Sequence, residues 1–141
     1  MTVEWQGVFP AATTQFASNE ALDLEATTAH LERLIRAGVH GLVMLGTVGE
    51  NCSLSAEEKR RVVKAAVETA RGRVPVIAGV AETTTREACR YAADMEALGA
   101  DGLMVLPAMV YKADARETMA HYRGVARASE LPVMCYNNPD V

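Results

Sequence analysis

Five short apolar runs punctuate the chain, at residues 7–12, 41–45, 75–80, 102–106 and 132–136. The later four do not alternate polar with apolar: GLVML, PVIAGV, GLMVL and PVMCY are hydrophobic throughout. Continuous runs of this length suit strands covered on both faces, the condition of a parallel sheet. Between the runs lie four segments with three- and four-residue apolar spacing. Leu24, Leu31, Leu34 and Ile35 share one face of the first, and Val62, Val63, Ala66, Val67 and Ala70 one face of the second. Ala88, Ala92, Met95 and Leu98 do so in the third, and Ala115, Met119, Tyr122 and Ala126 in the fourth. Such stripes predict amphipathic helices laid on a sheet. Ser55 with Glu58 and Thr84 with Glu87 read as capping boxes, and Asp114 with Glu117 as an aspartate version. Gly38, Gly72 and Gly99 stand where left-handed C-terminal caps belong.

The predicted order is a strand–helix unit repeated four times and closed by a fifth strand. No Pro/Ser-rich linker divides residues 1–141, so they read as one domain or one piece of one. A weak internal echo relates AGVHGLVMLG (37–46) to LGADGLMVLP (98–107). Each crossover between parallel strands is expected to be right-handed. Two α/β architectures satisfy this pattern: an open doubly wound sheet, and the first half of a (β/α)8 barrel, which normally takes about 250 residues. The pattern alone does not choose between them.

Composition narrows the function. The 141 residues are 50% hydrophobic and 23% charged, the profile of a soluble globular domain. No apolar stretch approaches the roughly 18–20 residues a bilayer span needs, and the N-terminus lacks a signal pattern, so no membrane role is expected. Lys plus Arg number 14 against 18 Asp plus Glu, a net charge of −4, with few aromatics, which suits nucleic acid poorly. Cys52, Cys89 and Cys135 lie far apart and away from His30, His40 and His121. Neither a disulfide framework nor a metal site is expected, and a cytoplasmic setting is the default.

Chemistry in either architecture belongs at the carboxyl ends of the strands. There the segment GTVGEN, residues 46–51, places two glycines around Thr47 and Val48. A tight turn of this kind can point successive N–H groups, with the Thr47 hydroxyl, at a carboxylate or developing oxyanion. A plain βα turn with Glu50 and Asn51 as polar filler fits the same spacing. The segment is neither a dinucleotide fingerprint nor a Walker loop. In CYNNP, residues 135–139, Tyr136 would project from the end of the fifth run. A phenol shuttles protons only when a neighbour such as a Thr hydroxyl hydrogen-bonds it; otherwise Tyr136 is a strand-end residue whose hydroxyl meets water. Cys52 has no evident base. His30 and His121 read as surface or internally satisfied helix residues. His40 and Asp101 fall at strand starts, opposite the expected site. Of the lysines, Lys59 and Lys64 read as solvated on the second helix, and Lys112 as an exposed loop amine.

Taken together, GVFPAATTQF, GTVGENCSLSAEEK, VPVIAGV, GADGLMVLP and LPVMCYNNP resemble, collinearly and over essentially the whole chain, the dihydrodipicolinate synthase/N-acetylneuraminate lyase family. The resemblance implies the N-terminal half of a (β/α)8 TIM barrel and class I aldolase-type chemistry. In that chemistry a lysine forms a Schiff base with pyruvate or a related 2-oxo acid, without metal or organic cofactor. It further implies that Tyr136 is the proton-shuttling phenol, that Thr47 hydrogen-bonds it, and that Thr47, Val48 and Gly49 hold the substrate carboxylate. The resemblance implies, finally, a homo-oligomer, a tetramer in full-length relatives.

Departures from the family pattern shift the expected reaction. Val48 replaces a usual Thr or Ser, and Ala81 stands where a glycine is common. Met109 and Val110 occupy places often held by aromatics, with Tyr111 one step further, and Val141 aligns with a synthase arginine. These changes argue against the lysine-pathway synthase and favour a related lyase, dehydratase or deaminase. The family's Schiff-base lysine lies on the sixth strand, beyond YNNP. The chain is therefore expected to be a partial barrel, lacking the nucleophile and inactive alone. The alternative is a non-catalytic half-barrel that self-associates through open sheet edges or binds a small carboxylate.

Overall fold

In a computed structural model, residues 3–108 and 110–137 are described. Four strands, β1 (Leu42–Met44), β2 (Val76–Val80), β3 (Gly102–Val105) and β4 (Val133–Cys135), alternate with α1 (Leu24–Arg36), α2 (Ala56–Ala70), α3 (Thr85–Ala97) and α4 (Ala115–Ala126). The sheet runs in the order β1-β2-β3-β4, every neighbouring pair parallel, so all four strand ends that carry chemistry lie on one side.

The first predicted strand is reduced. Residues 7–12 lie parallel beside β1 but form a single bridge, Ala11 with Val43, flanked by bonds from Val43 N to Pro10 O and from Ala12 N to Val43 O. Pro10 has no N–H to donate and Gly7 sits at φ +92°, so a regular ladder cannot extend toward the N-terminus.

Strand alternation divides the apolar residues between two faces. Leu42, Met44, Val76, Ala78, Val80, Leu103 and Val105 join the helices in the main core. Val43 and Ile77 point the other way and, with Met104, pack against Val3 and Phe9 of the N-terminal segment. Trp5 stacks on Phe9 at 6.3 Å between ring centroids.

Local signals explain the helices. Asp23 caps α1 by accepting from Ala26 N at 2.8 Å. Ser55–Glu58 and Asp114–Glu117 form complete capping boxes, and Thr84 accepts from Glu87 N. Gly38, Gly72 and Gly99 all have positive φ. The expected face of α4 is out of phase: Ala115, Met119 and Ala126 are exposed, while His121 and Val125 are buried, with Thr118 and Tyr122 beside them. Histidine and threonine carry the inward stripe there, which a hydrophobic count misses. Between α1 and the start of β2, Arg73 grips Glu32 through both carboxylate oxygens, with Arg36 adding a third contact, and these guanidinium bonds hold the Glu32 carboxyl down to about 2.

Candidate active site

At the end of β1 the backbone reverses abruptly. Leu45, fully buried, adopts a left-handed conformation (φ +57°), which an L-residue with a branched side chain rarely takes. Two single turns of 3₁₀-helix follow, Thr47–Gly49 and Asn51–Ser53, separated by Glu50, itself left-handed at φ 57°. The first N–H groups of such a turn have no partner inside it, so those of Thr47 and Val48 are free to face a ligand. Thr47 and Val48 are exposed, whereas Gly49 and Asn51 are buried beneath them.

Three contacts fix this turn. Thr14 Oγ1 donates to Gly49 O at 2.7 Å. The loop that brings Thr14 there is held in turn by Thr27 of α1, whose hydroxyl accepts from Gln15 N and donates to Asp23 O. Asn51 Nδ2 donates to Leu45 O at 3.0 Å and to Gly79 O at 3.2 Å, joining the ends of β1 and β2. Gly46 lies over the inner sheet face, where a Cβ would stand 3.5 Å from Met104 Cε.

Tyr136 follows β4, and its N–H extends the ladder by donating to Val105 O at 2.9 Å. Met104 pairs with Met134 in the register, so two residues on, Tyr136 continues the inner-facing phase. It is exposed, and Tyr122 Oη donates to its carbonyl at 3.1 Å. A cavity of about 170 Å³ beside it is lined by Pro107, Tyr111, Tyr122, Cys135 and Asn137 among others. Thr47 and Tyr136 thus stand at the same end of the sheet, on the inner side, but share no hydrogen bond. Their strands are the first and last of four, about 14 Å apart along a flat sheet.

Other candidates sort differently. Lys59 is not solvated as expected: it is buried, its Nζ 2.6 Å from Glu82 Oε1 and 5.8 Å from the centre of the Tyr91 ring. The first turn of α2 faces the loop after β2, and a long stem with a paired ammonium can be buried there. Lys64 and Lys112 are exposed, as expected. His121 is satisfied at both nitrogens. Its Nε2 lies 3.1 Å from Leu106 O, an acceptor only, so Nε2 carries the proton and Nδ1 accepts from Thr85 Oγ1 at 3.0 Å. Burial pushes its pKa below the ordinary histidine value. Asp101 Oδ2 accepts from Val76 N at a strand start, and His40 Nδ1 from Val8 N, both at the amino end. Tyr111 is exposed and donates to Glu117 Oε1, which raises its pKa. Met109, Asn138, Pro139 and Val141 lie outside the described residues. A groove of about 760 Å³ runs along the outer surface between α1 and α2, remote from these loops. Among the described residues no three His, Cys, Asp or Glu gather to hold a metal, and no helix is long and apolar enough to cross a membrane.

A parallel sheet with helices on its outer face and polar loops gathered at its carboxyl ends defines a (β/α)-barrel type of protein. The chain belongs to the dihydrodipicolinate synthetase family, whose model matches residues 4–141. It is 42% identical over 135 residues to a 4-hydroxy-tetrahydrodipicolinate synthase of Phenylobacterium zucineum, covering 96% of this chain and 46% of that protein. Among solved structures, a dihydrodipicolinic acid synthase family prophage protein from E. coli K12, in complex with pyruvate, superposes with a TM-score of 0.93 at 34% identity. The match covers 98% of this chain and 46% of that one. An N-acetylneuraminate lyase from Mycoplasma synoviae gives a TM-score of 0.90 at 28% identity, over 97% and 48% of the two chains. The chain spans about half the length of the relatives it matches, and its fold is that of the N-terminal half of their (β/α)8 barrel. The open doubly wound sheet is thereby excluded.

Proposed function

We propose that this chain supplies the carboxylate-holding loop and the proton relay of a Schiff-base-forming lyase acting on pyruvate or a related 2-oxo acid. The observation that carries the reading is the shared placement of the Thr47 turn and Tyr136 on the inner side of one sheet at its carboxyl end. The N–H groups of Thr47 and Val48 neutralise the substrate carboxylate, while Gly49, whose own N–H is spent on Gly46 O, closes the turn behind them. A lysine amine beyond residue 141 adds to the ketone carbon, giving a carbinolamine; loss of its hydroxyl as water gives the iminium. Tyr136 carries the proton to the departing hydroxyl, and Thr47 hydrogen-bonds the phenol once the barrel closes and brings the two across the mouth. Neither metal nor organic cofactor takes part. Because Val48 offers a methyl-bearing side chain where a hydroxyl is usual, the reaction is that of a lyase, dehydratase or deaminase relative rather than the synthase itself. The full barrel works in the cytoplasm as a homo-oligomer, with neither nucleic acid nor membrane as partner.

Borohydride trapping with pyruvate tests this. A barrel completed by fusing the C-terminal half of the Phenylobacterium relative to residues 1–141 is expected to gain a stable mass adduct, and residues 1–141 alone none. An adduct on the 141-residue chain would overturn the assignment of the nucleophile to the other half. A second reading is favoured by β4, whose residues are half-buried to exposed while β1 and β2 are wholly buried: a half-barrel that self-associates through this edge. Sedimentation velocity separates the two, since a concentration-independent monomer rules out edge pairing.

A further inference from the structure

The left-handed Leu45 is buried, branched and carries no turn glycine to excuse it, so something must hold it. Among the described residues, the side chain that hydrogen-bonds its backbone is the Asn51 carboxamide, which donates from one nitrogen to Leu45 O and Gly79 O. The amide orientation is settled by chemistry: turning it over would set its oxygen against two carbonyl oxygens. Asn51 is almost completely buried and its Oδ1 has no partner among the described residues, a desolvation cost that the two Nδ2 bonds must outweigh. Gly79 makes the junction possible, because a Cβ there would overlap the Leu45 carbonyl. We propose that Asn51 is a positioning residue: by cross-linking the Leu45 and Gly79 carbonyls it locks Leu45 left-handed and so sets where Thr47 and Val48 present their N–H groups at the barrel mouth. Its role in substrate binding rests on the function proposed above; its role in shaping the turn does not.

Two measurements keep the layers apart. In the 141-residue chain, the Leu45 Cα and Cβ chemical shifts report its left-handed φ. Asn51→Ala is expected to move them toward right-handed or extended values, and unchanged shifts overturn the clamp. In the completed barrel, Asn51→Ala is expected to raise the half-saturating pyruvate concentration for borohydride trapping about tenfold, the scale of a small misplacement of binding groups. Asn51→Ser, which keeps one donor, should recover part of that loss. Val125→Ala, a core change in α4, serves as the stability control and should leave half-saturation unchanged at a comparable fall in melting temperature. If Val125→Ala moves half-saturation as much as Asn51→Ala, or Asn51→Ala leaves it unmoved, the positioning role is wrong. Failure of the parent barrel to trap pyruvate would instead sink the proposed function, leaving the shift measurement to decide the clamp. Should Asn51→Ala not fold, Gly79→Ala attacks the same junction from the other strand and must displace the same Leu45 shifts.

Discussion

At the β1–β2 end of the sheet, every strand residue is buried and the loop that follows is tied down by Thr14 and Asn51 through buried hydrogen bonds. At the β3–β4 end, β4 is only half-buried, Tyr136 is exposed, and the links around it, Tyr122 to Tyr136 O and Tyr111 to Glu117, are exposed as well. The turn after β1 is fixed because its polar atoms are removed from water and must be matched, whereas Tyr136 is placed by its backbone bond to Val105 O. A turn set by buried side chains tolerates fewer substitutions than a side chain placed by strand pairing alone.

Mutations can break this contrast. The largest effect is expected from Met44→Ala in β1, fully buried in the outer core: about 3 kcal/mol by urea unfolding, against about 1 kcal/mol for Val133→Ala on half-buried β4. Comparable losses would erase the difference between the two ends. Gly79→Ala should cost about 2–3 kcal/mol, because the added Cβ meets backbone that cannot move aside. Thr14→Val, nearly isosteric, leaves Gly49 O unsatisfied and should cost about 1–2 kcal/mol. By contrast, Tyr122→Phe removes an exposed hydrogen bond and should cost about 0.5 kcal/mol or less.

A pH effect is smaller and sharper. The folded chain lowers the His121 pKa, so the unfolded chain binds more protons below the ordinary value near 6.5. Stability from the neutral ring is complete above that value and is lost as pH falls from about 6.5 through the lower folded pKa. Urea midpoints between pH 7.5 and 5 should fall for the wild type and flatten for His121→Gln. An unchanged slope would mean that another group dominates.

Local signals were the legible part of this fold. Capping boxes and left-handed glycines mark helix ends because both partners lie within a few residues. The apolar runs announce a parallel sheet because burial on two faces permits nothing else. What escaped depends on partners far apart in the chain. Lys59 reads as a surface lysine until Glu82, 23 residues away, is placed over it. Asn51 reads as loop filler until Gly79 arrives 28 residues later, and nothing near Thr14 announces its bond to Gly49. The α4 stripe eludes a hydrophobic count because polar residues occupy the buried side, His121 satisfying both ring nitrogens there. Residues 7–12 have a strand's composition, but Pro10 limits them to one bridge.

The N-terminal segment has a further consequence. Val3 and Phe9 pack on the inner side of the sheet, Trp5 approaches Gly102 at the start of β3, and His40 pins Val8 beneath β1. These groups lay an apolar cover over the inner face at the foot of the strands, and Val43 and Ile77 are kept from water there by the chain's own first residues. Polar chemistry is thereby left to the opposite, carboxyl end of the sheet, where the Thr47 turn lies.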